Sequence, residues 1–251
     1  MSTVQSLERA IELLRHISVE HETGARLSDL VAASGLPQPT THRLLKQMVE
    51  GGLVMQDEKR RYRLGHFAYE LGLLASKHFV LKDQCAPFLR RISSATGDTA
   101  FLVVRSGADS FCLDRQSGSF PIQVLTVDVG RRRPLGIGGG GLALLSFMHE
   151  QDLPKVLDRV EPFLAQYGGL TRAILLHLVR EAREKGYAVI TNYAVAGVSS
   201  IGVPIRSASG ALIGAISVSA MTERMRPREA MVVQTLKREV ALLEAALQAS
   251  G

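Results

Sequence analysis

The stretch of residues 27–48 constrains this fold more than any other part of the chain, because it is typical of two short helices joined by a glycine turn. Ser28 is expected to cap the first helix, and Gly35 supplies the positive φ that commonly ends a helix. Pro39 suits the first position of the second helix, and Gln38 before it is biased out of the α region, as a cap residue is. A helix-turn-helix is therefore predicted.

The second helix has two chemically different faces. Thr41, Leu44, Leu45 and Met48 fall on the inner side. The outer side carries donors able to meet bases and phosphates: Gln38, Thr40, His42, Arg43, Lys46 and Gln47. Two helices around a glycine also occur in many helical domains without this role, so the residues that follow decide between the two interpretations.

A polar hairpin follows the second helix. Val54 begins a predicted strand, residues 57–61 form its polar tip, and residues 62–64 alternate like a returning strand. A helix-turn-helix followed by a basic hairpin is a winged helix, whose helix enters the major groove while the wing lies along the backbone. The positions expected to meet bases are Gln38, Thr40 and Arg43, and those expected to meet phosphates are Lys46, Arg60 and Arg61.

Charge supports this interpretation. The chain has a formal net charge of +6, which favours polyanionic partners without proving one. Residues 40–63 hold six Lys/Arg and three Asp/Glu, whereas residues 1–65 hold nine and eight. The acidic residues therefore lie mainly before the second helix, a segregation that a generic solvated face does not require.

The order Leu-Ser-Asp-Leu, Ser-Gly-Leu-Pro, His-Arg-Leu-Leu, Gly-Leu-Val and Tyr-Arg-Leu-Gly resembles the IclR family of bacterial transcription regulators. The resemblance runs from Ser6 to about Ser219. It implies a winged helix-turn-helix in residues 1–65, a linker helix in residues 66–80 and a GAF-like effector-binding domain in residues 81–251. It also implies double-stranded operator DNA, a small-molecule effector and a further copy of the chain, in dimers or tetramers, as partners.

The hydrophobic pattern of the C-terminal part predicts a mixed α/β (α+β) fold with a mostly antiparallel sheet. Helices are expected from residue 85 to the glycine at 97 and over residues 142–148, 151–158, 171–185 and 227–249. Strands are expected over residues 99–104, 110–114, 122–127, 187–191, 198–205 and 211–220. Residues 131–134 are interpreted as a basic turn. Further helices are expected over residues 4–18 and 66–79.

The glycines of residues 136–141 satisfy the G-x-G-x-x-G pattern of dinucleotide loops. The context disfavours that role, because no strand ending in an acidic residue follows about 20 residues later. Backbone N–H groups ahead of a helix can instead bind a small anion such as a carboxylate. A tight turn that needs positive φ remains the structural alternative.

Hydroxyl groups are the other notable feature of this part. The run of residues 197–202 is not a serine-hydrolase elbow, because Ile201 stands where the second glycine is needed. Ser217 and Ser219 share one face of a predicted strand, since side chains alternate. Such serines are either satisfied core groups or ligand contacts.

The resemblance favours ligand contacts. It implies a pocket lined by Ile122, Leu125, Gly138, Gly139, Gly140, Val198, Ser200, Ser217 and Ser219. Family members often have His at the position of Gly136, an acid at Ile190, and Glu at Asn192 and Tyr193. The acidic corner is thus missing, which predicts a larger, partly apolar effector such as an aromatic or longer-chain carboxylic acid.

Other classes of protein fit less well. No paired acid and base, nucleophile motif or metal cluster is found in the sequence, so neither a metal nor a cofactor is expected. The alternative to a transcription regulator is an enzyme that acts on a small carboxylate through the glycine and serine pocket. A purely architectural DNA-binding protein leaves about 170 residues unexplained. Cys85 and Cys112 form neither a disulfide framework nor zinc spacing, and they are expected as buried small side chains in a reducing cytoplasm. No membrane-length apolar run or signal peptide is seen in the sequence.

Overall fold

The computed structural model describes residues 4–20, 23–76 and 80–249 and divides into two compact units, Met1–Val80 and Leu81–Gly251. The elements of the first unit are α1 (Gln5–Val19), α2 (Leu27–Ser34), α3 (Gln38–Glu50), β1 (Val54–Gln56), β2 (Tyr62–Leu64) and α4 (His66–Ser76). Residues 77–79 of the predicted linker helix lie outside the described residues. The division with residues 66–80 as a linker stays a prediction.

Helices α1, α2 and α3 pack around one apolar core. Its buried side chains include Leu13, Ile17, Leu30, Leu44, Leu45 and Met48. Thr41 is fully buried on the same face of α3, and its hydroxyl donates to the carbonyl of Pro37 at 3.2 Å. Gly35 ends α2 with φ +65°, and its N–H donates to the carbonyl of Val31. The predicted glycine turn and inner face of α3 are therefore present.

The helix caps differ from the prediction. Ser28 lies inside the first turn of α2, not at its cap. The carboxylate of Asp29 instead accepts the backbone N–H of Arg26, which precedes the helix, at 3.3 Å. Gln38 is the first helical residue of α3, and Pro37 is its cap. Asp29 is thus the N3 residue of a capping box, and its carboxylate bonds the N–H of the residue that precedes the helix.

Strands β1 and β2 form the expected antiparallel hairpin after α3. Tyr62 also exchanges two backbone hydrogen bonds with Ala25, at 2.8 and 3.0 Å, and this bridge fixes the hairpin to the segment before α2. The predicted winged helix-turn-helix is confirmed.

The second unit is built on one antiparallel sheet. Its elements are α5 (Leu81–Thr96), β3 (Thr99–Ser106), β4 (Asp109–Gln116), β5 (Arg132–Pro134), α6 (Gly138–Phe147), α7 (Leu153–Leu164), α8 (Arg172–Lys185), β6 (Ala188–Thr191), β7 (Val198–Arg206), β8 (Leu212–Met221), α9 (Thr222–Met225) and α10 (Glu229–Ala249). The strand order is β5-β4-β3-β8-β7-β6. Helices α6, α7 and α8 cover one face, and α5 and α10 cover the other.

Alternation along β3 explains the two layers. Phe101 and Val103 point into the core beneath α6, whereas Ala100 and Leu102 point into the core with α5 and α10. Both faces of β3 therefore carry apolar side chains. None of the described helices is long and apolar enough to cross a membrane. The predicted mixed fold with an antiparallel sheet is confirmed.

Three predictions for the second unit were wrong. The strand expected over residues 122–127 is absent, and residues 117–131 form no regular secondary structure. The side chain of Gln123 holds this segment instead, accepting from the hydroxyl of Thr99 at 2.8 Å and the N–H of Gly118 at 3.0 Å. Residues 132–134 of the expected basic turn form β5, and the helix expected from residue 142 begins at Gly138.

Candidate functional site

The outer face of α3 is an exposed surface of hydrogen-bond donors. Gln38, His42, Arg43 and Lys46 are exposed, and Thr40 is half-buried. The Nζ atom of Lys46 lies 3.8 Å from Oε1 of Glu50, and such an exposed ion pair contributes little to stability. Arg43 makes no ion pair with any residue that the structure describes. Its guanidinium is therefore available for an external acceptor.

The tip of the hairpin is organised by one carboxylate. Asp57 accepts the backbone N–H of Arg61 at 2.9 Å and that of Lys59 at 3.0 Å. The first of these bonds contributes most to holding the pKa of Asp57 below its usual value. Arg60 is exposed at the turn, with φ +56°. A left-handed residue here reverses the chain without a glycine.

The two predicted arginines of the tip have different surroundings. The guanidinium of Arg61 donates to the carbonyls of Thr23 at 3.0 Å and Gly24 at 3.3 Å, so it faces the body of the unit. Arg60 and Lys59 are both exposed. Lys59 was not among the sequence-predicted residues, although it belongs to the same basic run.

The second unit contains a small, partly open cavity, of about 30 Å³, beneath the N-terminus of α6. Its lining comes from the sheet, the start of α6 and two irregular segments: Phe101, Val103, Ser110, Cys112, Thr126, Val127, Arg133, Ile137, Gly138, Gly139, Gly140, Gly141, Ile190, Ala194, Val198, Ser200, Ser217 and Ser219. Among the described residues, this lining has one cationic side chain and no carboxylate. Seven of the nine predicted effector residues therefore meet here.

The three predicted serines do not play the same part. Ser219 donates its hydroxyl to that of Ser200 at 2.9 Å, and Ser200 also accepts the N–H of Gly139 at 3.1 Å. Ser217 is buried, yet its hydroxyl bonds to none of the described residues. Ser200 and Ser219 thus tie β7 and β8 to α6, whereas Ser217 keeps its hydrogen-bonding capacity free at the cavity wall.

Close packing explains most of the glycines. A Cβ on Gly139 would lie 2.6 Å from the hydroxyl of Ser200, and one on Gly202 would lie 2.1 Å from the carbonyl oxygen of Gly139. Gly138 has φ +75° at the start of α6. The N–H of Gly140 belongs to the first helical turn and has no acceptor within the helix. The loop therefore combines tight packing against β7 with backbone N–H groups of the first helical turn.

Ile122 and Leu125 lie elsewhere. They are 60% and 53% exposed, and neither lines the cavity. Thr126 and Val127 from the same segment line it instead. The resemblance alone placed Ile122 and Leu125 in the pocket, and residues 117–131 form no strand whose register would turn a chosen side chain toward the sheet.

Arg133 is the residue that the sequence interpretation missed. It was assigned to a turn, but it pairs with Ser110 across β4 and β5 and lines the cavity. Burial is the main cause that lowers its pKa. Residues 131–133 are all arginine, so no sequence pattern distinguishes Arg133 from its neighbours.

The positions at which the resemblance implies acids in other family members are apolar or hydrogen-bonded within their own segment. Ile190 lines the cavity, and the side chain of Asn192 accepts the N–H of Gly197 at 3.0 Å. Asn192 has φ +67°, a conformation that asparagine tolerates. Cys112 lines the same cavity, and burial raises the pKa of its thiol to about 11. It is therefore a neutral thiol at neutral pH.

The sequence matches one family over most of its length. Residues 6–58 match the IclR helix-turn-helix domain, and residues 74–248 match the C-terminal domain of the bacterial transcriptional regulator IclR. The chain therefore belongs to the IclR family of bacterial transcription regulators.

Individual relatives agree with this assignment. The HTH-type transcriptional regulator XynR of Escherichia coli is 27% identical over 91% of both chains. The repressor AllR of Salmonella paratyphi A is 28% identical over 88% of this chain and 81% of its own. These matches confirm the predicted class, a DNA-binding transcription regulator with an effector-binding domain, rather than an enzyme.

Solved structures share the fold. An IclR transcriptional regulator from Silicibacter sp. has a TM-score of 0.83 at 26% identity and covers 96% of both chains. An IclR homologue from Microbacterium hydrocarbonoxydans, complexed with 4-hydroxybenzoate, has a TM-score of 0.73 at 27% identity, covering 97% of this chain and 99% of its own.

Proposed function

We propose that this regulator binds a pseudo-palindromic operator as a homo-oligomer, and that a small carboxylic acid with an aromatic or longer apolar body controls that binding. The observation that carries the proposal is this cavity, whose described lining residues combine apolar side chains, a free hydroxyl and a cation with no carboxylate. A relative of the same fold was crystallised with 4-hydroxybenzoate, an acid of this class. We expect the protein to act in the cytoplasm, where bacterial operators lie.

On DNA, α3 would lie in the major groove. Gln38, Thr40 and Arg43 would read base edges from its exposed face, with His42 beside them. Lys46 and Arg60 would bind phosphates. Arg61 would add positive charge near the backbone, but its guanidinium is already engaged with two carbonyl groups. Lys59 is the better candidate for a second phosphate contact at the tip.

The partner in assembly would be a second copy of the chain. One winged helix reads too short a site for selectivity in a genome, so two half-sites are expected. Exposed apolar side chains support this. They recur at helical spacing around α1 and along α4, as Val4, Leu7 and Ile11 and as Phe67, Leu71 and Leu74. Light scattering at micromolar concentration is expected to give a dimer or tetramer, and a monomer with and without DNA would contradict the proposal.

The cavity must enlarge to admit the effector. Its volume is about 30 Å³, whereas pockets for ligands of drug size have roughly 300–1,000 Å³. The lining residues best able to move are Thr126, Val127 and Ala194, which lie outside helices and strands. An effector that favours an opened form would shift the population of conformations, and this gives it a means of changing DNA affinity.

The test combines DNA binding with thermal stability. Fluorescence anisotropy would measure binding to DNA upstream of the adjacent operon over a range of salt concentrations. The same titration would be repeated with benzoate, 4-hydroxybenzoate, hexanoate and pyruvate. We expect one of the larger acids to change operator affinity and to raise the melting temperature, since a ligand at 100 times its Kd stabilises by about 2.7 kcal/mol.

Two controls make the result decisive. Non-specific DNA of equal length is expected to bind weakly and with little response to the acid. Pyruvate, which has only a small apolar part, is expected to have the weakest effect. If none of the acids changes either measurement, the proposed effector class is wrong, whereas an effect of pyruvate alone would contradict the preference for a larger apolar body.

A further inference from the structure

Arg133 is the one cation among the described residues that line the cavity. Three arginines follow each other at positions 131–133, and the strand geometry separates them. Arg133 pairs with Ser110 in the antiparallel ladder of β4 and β5, and directly paired residues project from the same face. Ser110 lines the cavity, so the side chain of Arg133 is on the cavity side of the sheet.

Arg132 occupies the opposite face. Its guanidinium donates to the hydroxyl of Ser106 at 2.6 Å and lies 5.5 Å from the ring centroid of Phe111. Arg132 is therefore satisfied by neighbours on the outside of the strand. Adjacent arginines on one edge strand thus have different surroundings, and Arg132 is a matched control for Arg133.

The surroundings of Arg133 are poor in anions. No carboxylate lines the cavity, and its guanidinium makes no ion pair or hydrogen bond with any residue that the structure describes. Burial lowers its pKa, with Tyr167, Cys112 and Asp128 acting in the opposite direction. Arginine nonetheless stays protonated in proteins. A partly buried cation without a paired anion is costly, and binding an anion would relieve that cost.

We propose that Arg133 determines the specificity of the cavity by binding the carboxylate of the effector through its guanidinium fork. Arginine matches the two oxygens of a carboxylate with two parallel N–H groups, which a lysine or a single backbone N–H does not. The hydroxyl of Ser217 and the N–H of Gly140 line the same cavity and share the anion. Phe101, Val103 and Ile190 then contact the apolar body.

This inference rests on the proposed effector function and sharpens it. It makes the charge of the ligand, and not only its size, a condition for binding. Neutral analogues with the same apolar body are excluded, because they leave the guanidinium buried and without an anion. The effector class is then a monocarboxylate, and the corresponding amide or alcohol is not an effector.

The experiment measures binding of benzoate, 4-hydroxybenzoate, phenylacetate and hexanoate, with their neutral amides, to the full-length protein by calorimetry and thermal shift. At least one acid is expected to bind and its amide is not. Arg133→Gln is expected to lower the affinity for that acid by about 30-fold or more. Arg133→Lys is expected to lower it by less, since lysine keeps the charge but loses the guanidinium fork. Arg132→Gln is expected to bind like the wild type.

A second readout tests a merely structural role. If Arg133 only stabilised the fold through Asp128, Arg133→Gln would lower the melting temperature of the ligand-free protein. Under the proposal that temperature is unchanged or higher, because an unpaired buried charge is removed. A lowered melting temperature with unchanged acid affinity overturns the assignment.

Failure of this inference is distinguishable from failure of the proposed function. Loss of acid binding in Ser217→Ala with full binding in Arg133→Gln would keep the cavity as the site and reject Arg133. Wild-type affinity in both variants would reject the cavity itself. Equal affinity for an acid and its amide, or no binding of any acid, also rejects the role of Arg133.

Discussion

The two units hold their candidate residues in opposite ways. In the first unit, most of the residues expected to meet DNA come from one helix and face solvent, within a stretch of nine residues from Gln38 to Lys46. In the second, the cavity assembles residues from β3 to β8 and from α6, which are far apart in sequence. A surface built on one helix needs only a stable helix, whereas the cavity needs the whole sheet in register. The difference predicts which substitutions act locally and which disturb the fold.

The largest effect is expected from Gly202→Ala in β7. A Cβ here would lie 2.1 Å from the carbonyl oxygen of Gly139, so α6 must move away from the sheet and the cavity must change. We expect a loss of about 3 kcal/mol or more in unfolding free energy, at the upper end of overpacking effects. Urea unfolding of the full chain measures it.

Gly72→Ala in α4 is the matched control. A Cβ there meets nothing within 4 Å, and alanine has the higher helix propensity, so this variant is expected to be neutral or slightly stabilising. Equal destabilisation by both substitutions would contradict the difference between the two units, because the cavity would then be no more sensitive to packing than an exposed helix.

Arg43→Ala is expected to cost about 1–3 kcal/mol of operator binding and to blur its sequence preference, because the lost contact is with base edges. Folding stability is expected to stay within about 0.5 kcal/mol of the wild type, since the side chain is exposed. Anisotropy titrations on the operator and on a mutated half-site measure the two effects. Unchanged affinity and selectivity would refute the docking of α3.

The cavity serines are expected to separate structural from ligand-binding roles. Ser219→Ala removes the hydrogen bond to Ser200 and should lower stability by about 1 kcal/mol. Ser217→Ala removes no bond to the described residues, so it should affect stability less and the effector-induced thermal shift more. The double variant, Ser217→Ala with Ser219→Ala, should abolish the effector-induced thermal shift and leave DNA binding without effector unchanged. Wild-type effector affinity in the double variant would end the assignment of both serines.

The smallest effects are expected at the hairpin tip. Arg60→Ala should lower the affinity for specific and non-specific DNA alike, since Arg60 is expected to bind a phosphate. The slope of log affinity against log salt concentration should fall by the amount of about one phosphate contact. Arg61→Ala should instead lower the stability of the first unit by about 1 kcal/mol, because it loses two bonds to carbonyl groups. Salt titrations and urea unfolding distinguish them. The reverse pattern would show that Arg61, not Arg60, meets the phosphate.

The accuracy of the sequence interpretation follows the same division. The inner face of α3 was predicted correctly, and so was the glycine turn at Gly35, because helix periodicity and positive φ are local properties. The strand expected over residues 122–127 is absent although its residues suit a strand. The hydrogen bond that the side chain of Gln123 accepts from the distant hydroxyl of Thr99 helps to hold that segment, and no window of neighbouring residues contains it.

The sequence by itself determined the winged helix-turn-helix and the antiparallel α/β fold, since each depends on short motifs and hydrophobic patterns. The class of regulator followed from the resemblance of those motifs to the IclR family. Only the tertiary structure decided how the cavity is lined. It brought Ser217 and the glycines of α6 together, left Ile122 and Leu125 in solvent, and turned Arg133 rather than Arg132 inward. The physical reason is register: a one-residue shift moves a side chain to the other face of a sheet, and register is set by pairing between strands that are distant in sequence.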